Sequence, residues 1–198
     1  MHPFTPTRVL LVVVGAAIAA AAVTISTGLI DVAADVPHSS AVRWILETTR
    51  ERSIARRSDG VVVPDLSAPS LVAAGAPEYA EMCSTCHRAP GEPESELRRG
   101  LNPMPPDLTQ RHDSIPAQVF WVIKHGVRMT AMPAWGATHD DQRLWTLVAF
   151  LQRLPTLTAP EYAQLTQAKG DEHSPHGETP PGEPTPHGHR PHDHPHAK

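Results

Sequence analysis

The hydrophobic pattern divides the chain into four unlike stretches. Residues 9–30, from Val9 to Ile30, carry no charge. As a helix rising about 1.5 Å per residue, such a run is roughly 33 Å long, close to the hydrocarbon thickness of a bilayer. Arg8 precedes it and Asp31 and Asp35 follow, so the charge bias leaves the N-terminus in the cytoplasm. A cleaved signal is the competing reading, because Val32-Ala33-Ala34 has the small side chains of a cleavage site. A signal's apolar core usually spans about 7–15 residues, however, and this run is longer. Residues 1–35 are therefore expected to form a transmembrane anchor, or else a signal, and both deliver the rest of the chain across the membrane.

Residues 36–69 form a connector. Ser39 or Ser40 can cap a helix from about Ala41 to Ser58, stopped by Gly60. Val42, Ile45, Leu46 and Ile54 are its apolar members, among Arg43, Arg50, Arg52, Arg56 and Arg57. That pattern suits a helix lying on lipid headgroups, or a solvated helix packed on the neighbouring domain. Val61-Val62-Val63-Pro64 onward reads as an extended linker.

Residues 70–169 are expected to hold the globular domain. Ser70 opens a helix reaching about Cys83, with Leu71, Ala74, Tyr79 and Met82 as apolar contacts. A proline-rich stretch from Arg88 to Pro116 reads as loop with one short helix. Ser114 caps a helix containing Val119, Phe120, Val122 and Ile123, and Gly126 stops it. Thr138-His139-Asp140-Asp141 has capping-box spacing and introduces Leu144, Trp145, Leu147, Val148, Phe150 and Leu151, ended by Pro155. A last short helix begins near Pro160. No alternation of strand period occurs in this region, so the expected class is all-α. Residues 170–198, with seven histidines and seven prolines, have almost nothing apolar to bury and are expected to be disordered.

Composition narrows the chemistry. The net charge is −4 with histidines neutral, which leaves no basic excess for a phosphate backbone and argues against nucleic-acid binding. Residues 70–157 are close to neutral, so no strong electrostatic steering is evident. The chain has only two cysteines, Cys83 and Cys86. That number excludes a disulfide scaffold and a four-cysteine zinc site.

Those two cysteines stand in Cys83-Ser84-Thr85-Cys86-His87, the C-x-x-C-H spacing of covalent c-type haem attachment. Two thiols near a helix end reach the two vinyl groups of one porphyrin, and the next side chain turns beneath the iron. His87 then offers an imidazole nitrogen as proximal ligand. A thioredoxin-like redox motif needs a surrounding βαβ pattern, which the sequence lacks. Met132, in Met132-Pro133-Ala134-Trp135-Gly136, is the leading candidate for the sixth ligand. A thioether is soft and neutral, and raises the reduction potential relative to a second histidine. Met129, His125 and His139 are the other candidates, and Met104 lies in the proline-rich loop. Methionines also simply fill apolar space around a porphyrin.

These motifs resemble a monohaem class I c-type cytochrome, of the membrane-anchored bacterial type. The matching residues are Gly75 and Tyr79 ahead of the cysteine motif, Pro106-Asp107-Leu108, Met132-Pro133-Ala134-Trp135-Gly136, and the Trp145–Leu151 helix. The resemblance implies three to four helices around one haem. It also implies a close crossing of the first and last helices, with Gly75 and Tyr79 meeting Leu147 and Phe150. Pro106 would use its carbonyl to orient His87 and raise its basicity. The cofactor implied is one haem c held by Cys83 and Cys86.

The expected activity is one-electron transfer by a non-enzymatic carrier tethered to the bacterial inner membrane. Its haem domain would face the periplasm and serve an oxidase or dehydrogenase chain. The alternatives are a haem enzyme or sensor with a labile sixth ligand, and a metal-handling protein. The last would bind copper or zinc through His187, His189, His192, His194 and His196. Arg98, Arg99 and Trp135 are candidate partners for the haem propionates, with solvated loop charges as the plainer reading of the two arginines. Trp121 and Trp145 read as core residues.

Overall fold

The computed structural model describes residues 6–167, and the histidine- and proline-rich stretch read at 170–198 lies outside them. All regular structure among the described residues is helical. Helix α1 spans Pro6–Ser26, with a mean hydropathy of 2.6 and none of its most apolar window buried against the rest of the chain. Its hydroxyl residues near the C-terminal end turn inward on the helix backbone, as Thr24 Oγ1 does in donating to the Ala20 carbonyl at 2.8 Å.

Helix α2 (Ser40–Ser58) starts where the Ser39 side chain accepts from the Val42 amide, and the chain leaves it through Gly60 at φ 84°. Of the two positions open to it, the structure shows α2 against α6. Ser58 is buried there and Ile54 is half-buried, while Val42, Trp44, Ile45 and Leu46 at the other end stay exposed.

Helix α3 (Pro69–Met82) begins one residue earlier than its sequence suggests. Pro69 occupies the first turn and Ala68 the cap, with no side chain bonded there. Proline fits at this point because the first-turn amides have no partner within the helix. α4 (Ser84–His87) is a single turn, and α5 (Glu96–Arg99) is the short helix of the proline-rich stretch, followed by a 3-10 turn at Leu108–Gln110.

Helix α6 (Pro116–His125) also starts with proline in its first turn. Ile115 takes the cap position rather than Ser114, whose hydroxyl instead accepts from Gln152 Nε2 at 2.9 Å. Helix α7 (Asp141–Arg153) is capped by Asp140, which accepts from the Arg143 amide at 2.8 Å, so the cap falls two residues after Thr138. Helix α8 (Ala159–Gln167) opens with a reciprocal pair. Glu161 Oε2 accepts from the Thr158 amide at 2.8 Å, and the Thr158 hydroxyl accepts from the Glu161 amide at 3.5 Å.

The core forms where α7 crosses α3, with α6 and α8 on its flanks. Tyr79, Leu144, Leu147, Val148 and Phe150 are fully buried. A Cβ built on Gly75 would overlap the Thr146 carbonyl and come within 2.9 Å of Phe150 Cβ. The small residue of the crossing therefore faces Thr146 and Phe150, with Leu147 buried beside them. The Tyr79 and Phe150 rings lie 5.2 Å apart, and Tyr162 from α8 meets Tyr79 edge-on at 6.4 Å. Across the α6–α7 contact, Phe120 stacks on Trp145 with ring centroids 4.1 Å apart and planes within 7°.

Candidate haem site

The cysteine motif sits where α3 gives way to α4. The Cys83 amide still donates to the Tyr79 carbonyl at 2.9 Å, and the Cys83 carbonyl accepts from His87 at 2.8 Å and Cys86 at 3.1 Å. The Ser84 hydroxyl turns back to the Ala80 carbonyl at 2.8 Å. The resulting turn sets Cys83 and Cys86 three residues apart on one helical face, both as half-buried free thiols. Burial, then the neighbouring Cys86 and Glu78, push the Cys83 thiol up to about 12. A redox dithiol needs the opposite, a thiol poised to ionise near neutral pH. The raised Cys83 thiol does not fit that pattern.

Tyr79 clasps the end of the turn. Its buried hydroxyl donates to the Arg88 carbonyl at 2.5 Å, with the His87 carbonyl 3.3 Å away. Arg88 itself has φ 70°, the left-handed bend that carries the chain out of the motif.

The His87 ring is fixed from outside the turn. Its Nδ1 lies 2.9 Å from the Pro106 carbonyl oxygen. A carbonyl only accepts, so Nδ1 carries the proton and Nε2 keeps its lone pair for a metal. Burial holds the His87 pKa below the ordinary histidine value. The Pro106 bond opposes that shift and nearby Arg98 adds to it. The ring is thus neutral at pH 7, the state in which imidazole binds iron.

The methionines divide clearly. Met129, at φ 58°, is 92 % exposed, and Met104 is also exposed. Met132 is half-buried and packs against the cluster that Cys83 also joins. Its backbone is held at both ends, the amide donating to Thr130 Oγ1 at 3.1 Å and the carbonyl accepting from the Val127 amide at 3.2 Å. His125 is exposed and tilted against Trp121, whereas His139 is half-buried, edge-on to Trp135 and bonded to Thr138 Oγ1 at 2.7 Å. Trp145 packs in the core as expected, while Trp121 is half-buried beside His125.

Arg98 and Arg99 differ. Arg99 is exposed, as a solvated loop charge would be. Arg98 is buried, which corrects the solvated reading for that residue. It pairs with Glu94, donates from Nη2 to the Pro105 carbonyl at 2.9 Å, and leaves Nε without a partner. No sequence signal points to this contact, or to Arg88 Nη1 donating to Asp107 Oδ2 at 2.9 Å. Both reach into the proline-rich loop, Arg98 from the short helix α5 and Arg88 from the end of α4, and no periodicity reports proximity there.

Two neighbouring thiols, a neutral imidazole with its Nε2 lone pair free of the proton, a half-buried methionine packed on the core and an orphaned buried guanidinium nitrogen fit a covalently held haem. The fold and this set of side chains define a small c-type cytochrome. Residues 70–151 match the family model described as cytochrome c oxidase, cbb3-type, subunit III. That stretch runs from α3 into α7, and the match supports a c-type cytochrome domain, a unit of electron transfer. No curated protein and no solved structure matches the chain.

Proposed function

We propose that the chain is a membrane-tethered, single-haem electron carrier in which Cys83 and Cys86 hold the porphyrin and His87 and Met132 supply both axial ligands. The observation that carries the reading is the 2.9 Å bond from His87 Nδ1 to the Pro106 carbonyl, which presents Nε2 as a neutral, oriented donor. Met132 supports the other half, since it alone of Met104, Met129 and Met132 packs against the core. The haem, when bound, supplies reversible one-electron exchange at its iron. Two protein ligands leave no open coordination position, which favours transfer over oxygen chemistry.

The tether rests on α1, long and apolar enough to cross a bilayer and free of packing against the domain. The partners fitting this arrangement are membrane-bound redox complexes, an oxidase or a dehydrogenase, on the periplasmic side of a bacterial inner membrane. The family that residues 70–151 match is described as a subunit of an oxidase, which supports the first of these.

The test is an absorption spectrum of the matured protein, oxidised and reduced, before and after carbon monoxide. A low-spin spectrum with the iron–methionine charge-transfer band is expected, indifferent to carbon monoxide and lost in Met132→Ala. Ready carbon monoxide binding by the wild type would replace the carrier with an enzyme or sensor. For the tether, the full chain should stay with membranes through carbonate extraction and be released when residues 1–30 are removed.

A further inference from the structure

Pro105 and Pro106 have no N–H to donate, so the loop that meets His87 cannot fix itself through its own backbone amides. Its position is set by side chains on either side. Arg98 Nη2 donates to the Pro105 carbonyl at 2.9 Å, one peptide before the carbonyl that receives the imidazole. Arg88 Nη1 donates to Asp107 Oδ2 at 2.9 Å, one residue after it.

Each arginine is anchored in turn. A buried guanidinium persists only when paired, and Glu94 supplies the counter-charge to Arg98. The Arg98 amide donates to Ser95 Oγ at 3.0 Å, and that hydroxyl donates to the Thr85 carbonyl at 2.5 Å, inside the cysteine motif. Arg88 directly follows the ligand, and its carbonyl takes the Tyr79 hydroxyl. Asp107 is braced by the Thr109 amide at 3.0 Å and hydroxyl at 2.6 Å. The motif and the proline loop are thereby joined twice, on either side of Pro106.

We propose that Arg98 and Arg88 are positioning residues for the axial ligand: they bracket Pro106, set the direction of its carbonyl, and through it govern how strongly the His87 imidazole donates. The inference rests on the haem reading above. A firm Nδ1–H···O bond makes the ring a stronger donor and favours ferric iron, so loosening the bracket raises the reduction potential. Removing a positive charge acts the other way, since a nearby cation favours the ferrous state. Substitutions that keep the charge therefore separate the two effects. Lysine retains the charge and loses the planar fork.

The experiment uses the full-length holoprotein with Arg98→Lys and Arg88→Lys, reading the midpoint potential and the exchange rate of the His87 Nδ1 proton by NMR. Arg98→Lys should raise the potential and speed that exchange on the order of tenfold, the worth of one hydrogen bond. Arg88→Lys should do the same to a smaller extent, because its ion pair is partly exposed. Wild-type potential and exchange in folded Arg98→Lys would overturn the proposal. So would a potential shift that depends on pH while exchange is unchanged, which would assign Arg98 to a cofactor carboxylate. If Arg98→Lys fails to fold, Arg88→Lys and Asp107→Glu, which also keep the charge, decide on the same two readouts. A wild type lacking covalent haem would instead defeat the underlying haem reading, and its spectrum would show that separately.

Discussion

A Cβ on Gly126 would lie 2.7 Å from the Met132 carbonyl oxygen and 2.7 Å from the carbonyl carbon of Pro133. Gly126 closes α6 at φ 66°, a conformation that L side chains adopt only under strain. The glycine that ends the helix is therefore also the floor on which the Met132 loop rests. Gly126→Ala should displace that loop while leaving the cysteine motif alone. The expected protein carries covalent haem, shows a weakened iron–methionine band and gains carbon monoxide binding in the ferrous state. An unchanged spectrum would show that the loop tolerates the methyl group.

At the α3–α7 crossing the neighbour of Gly75 is backbone, the Thr146 carbonyl, and backbone yields less readily than a flexible side chain. Overpacking of cores costs about 1–3 kcal/mol and occasionally more. Gly75→Ala should fall at or above the top of that range, lowering the midpoint of thermal unfolding. Ala74→Gly, one residue away and exposed, controls for helix propensity, which costs only about 1 kcal/mol.

Glu78 is buried on α3, and Arg143 of α7 reaches it with Nε at 2.9 Å and Nη2 at 2.5 Å. Removing one partner of a buried pair costs about 3–5 kcal/mol. Arg143 is roughly half exposed, so water offsets part of that loss. Arg143→Met should cost about 2 kcal/mol in urea unfolding, below the fully buried range. Adding Glu78→Gln should recover part of it, because the remaining group is then neutral. A double variant no more stable than Arg143→Met would indicate that the carboxylate's other contacts dominate.

Alkaline pH should weaken the fold through two tyrosines. Burial pushes the Tyr79 hydroxyl far above its ordinary value of 10.0. Burial and then Glu92 push Tyr162 up to about 12, with a Ser84 hydrogen bond opposing them. The unfolded chain releases these protons near pH 10 while the folded chain retains them, so their contribution is complete below about pH 10 and declines above it. Urea midpoints of the holoprotein, in which Cys83 as proposed carries a thioether and no titrating thiol, should be level from pH 8 to pH 9.5 and fall beyond. Tyr79→Phe should show a shallower fall, from a lower starting point, because the Arg88 carbonyl loses its donor.

Much of this molecule is legible in its sequence because its strongest signals are local. The Cys83–His87 spacing, the apolar run after Arg8 and the stop at Gly126 each declare themselves within a few residues. Helix starts were less legible. Pro69 and Pro116 begin helices whose caps carry no bonded side chain, and the nearby serines only resemble caps. Asp140 outcompetes Thr138 because its carboxylate is the oxygen that reaches the Arg143 amide. The contacts of Arg88 and Arg98 were illegible for another reason. They end on the proline-rich loop, and nothing in such a segment states where its carbonyls point.

His87 is held by its ring through Pro106 and along its backbone by the turn, with the Tyr79 hydroxyl fastening the turn's exit. As the iron ligand proposed above, such a residue would have little freedom to shift when the charge beside it changed by one unit, and the nuclear rearrangement accompanying electron gain or loss would be small. That reorganisation energy, together with distance and driving force, sets how quickly an electron departs, so the close hydrogen bonding around one imidazole is also a statement about speed.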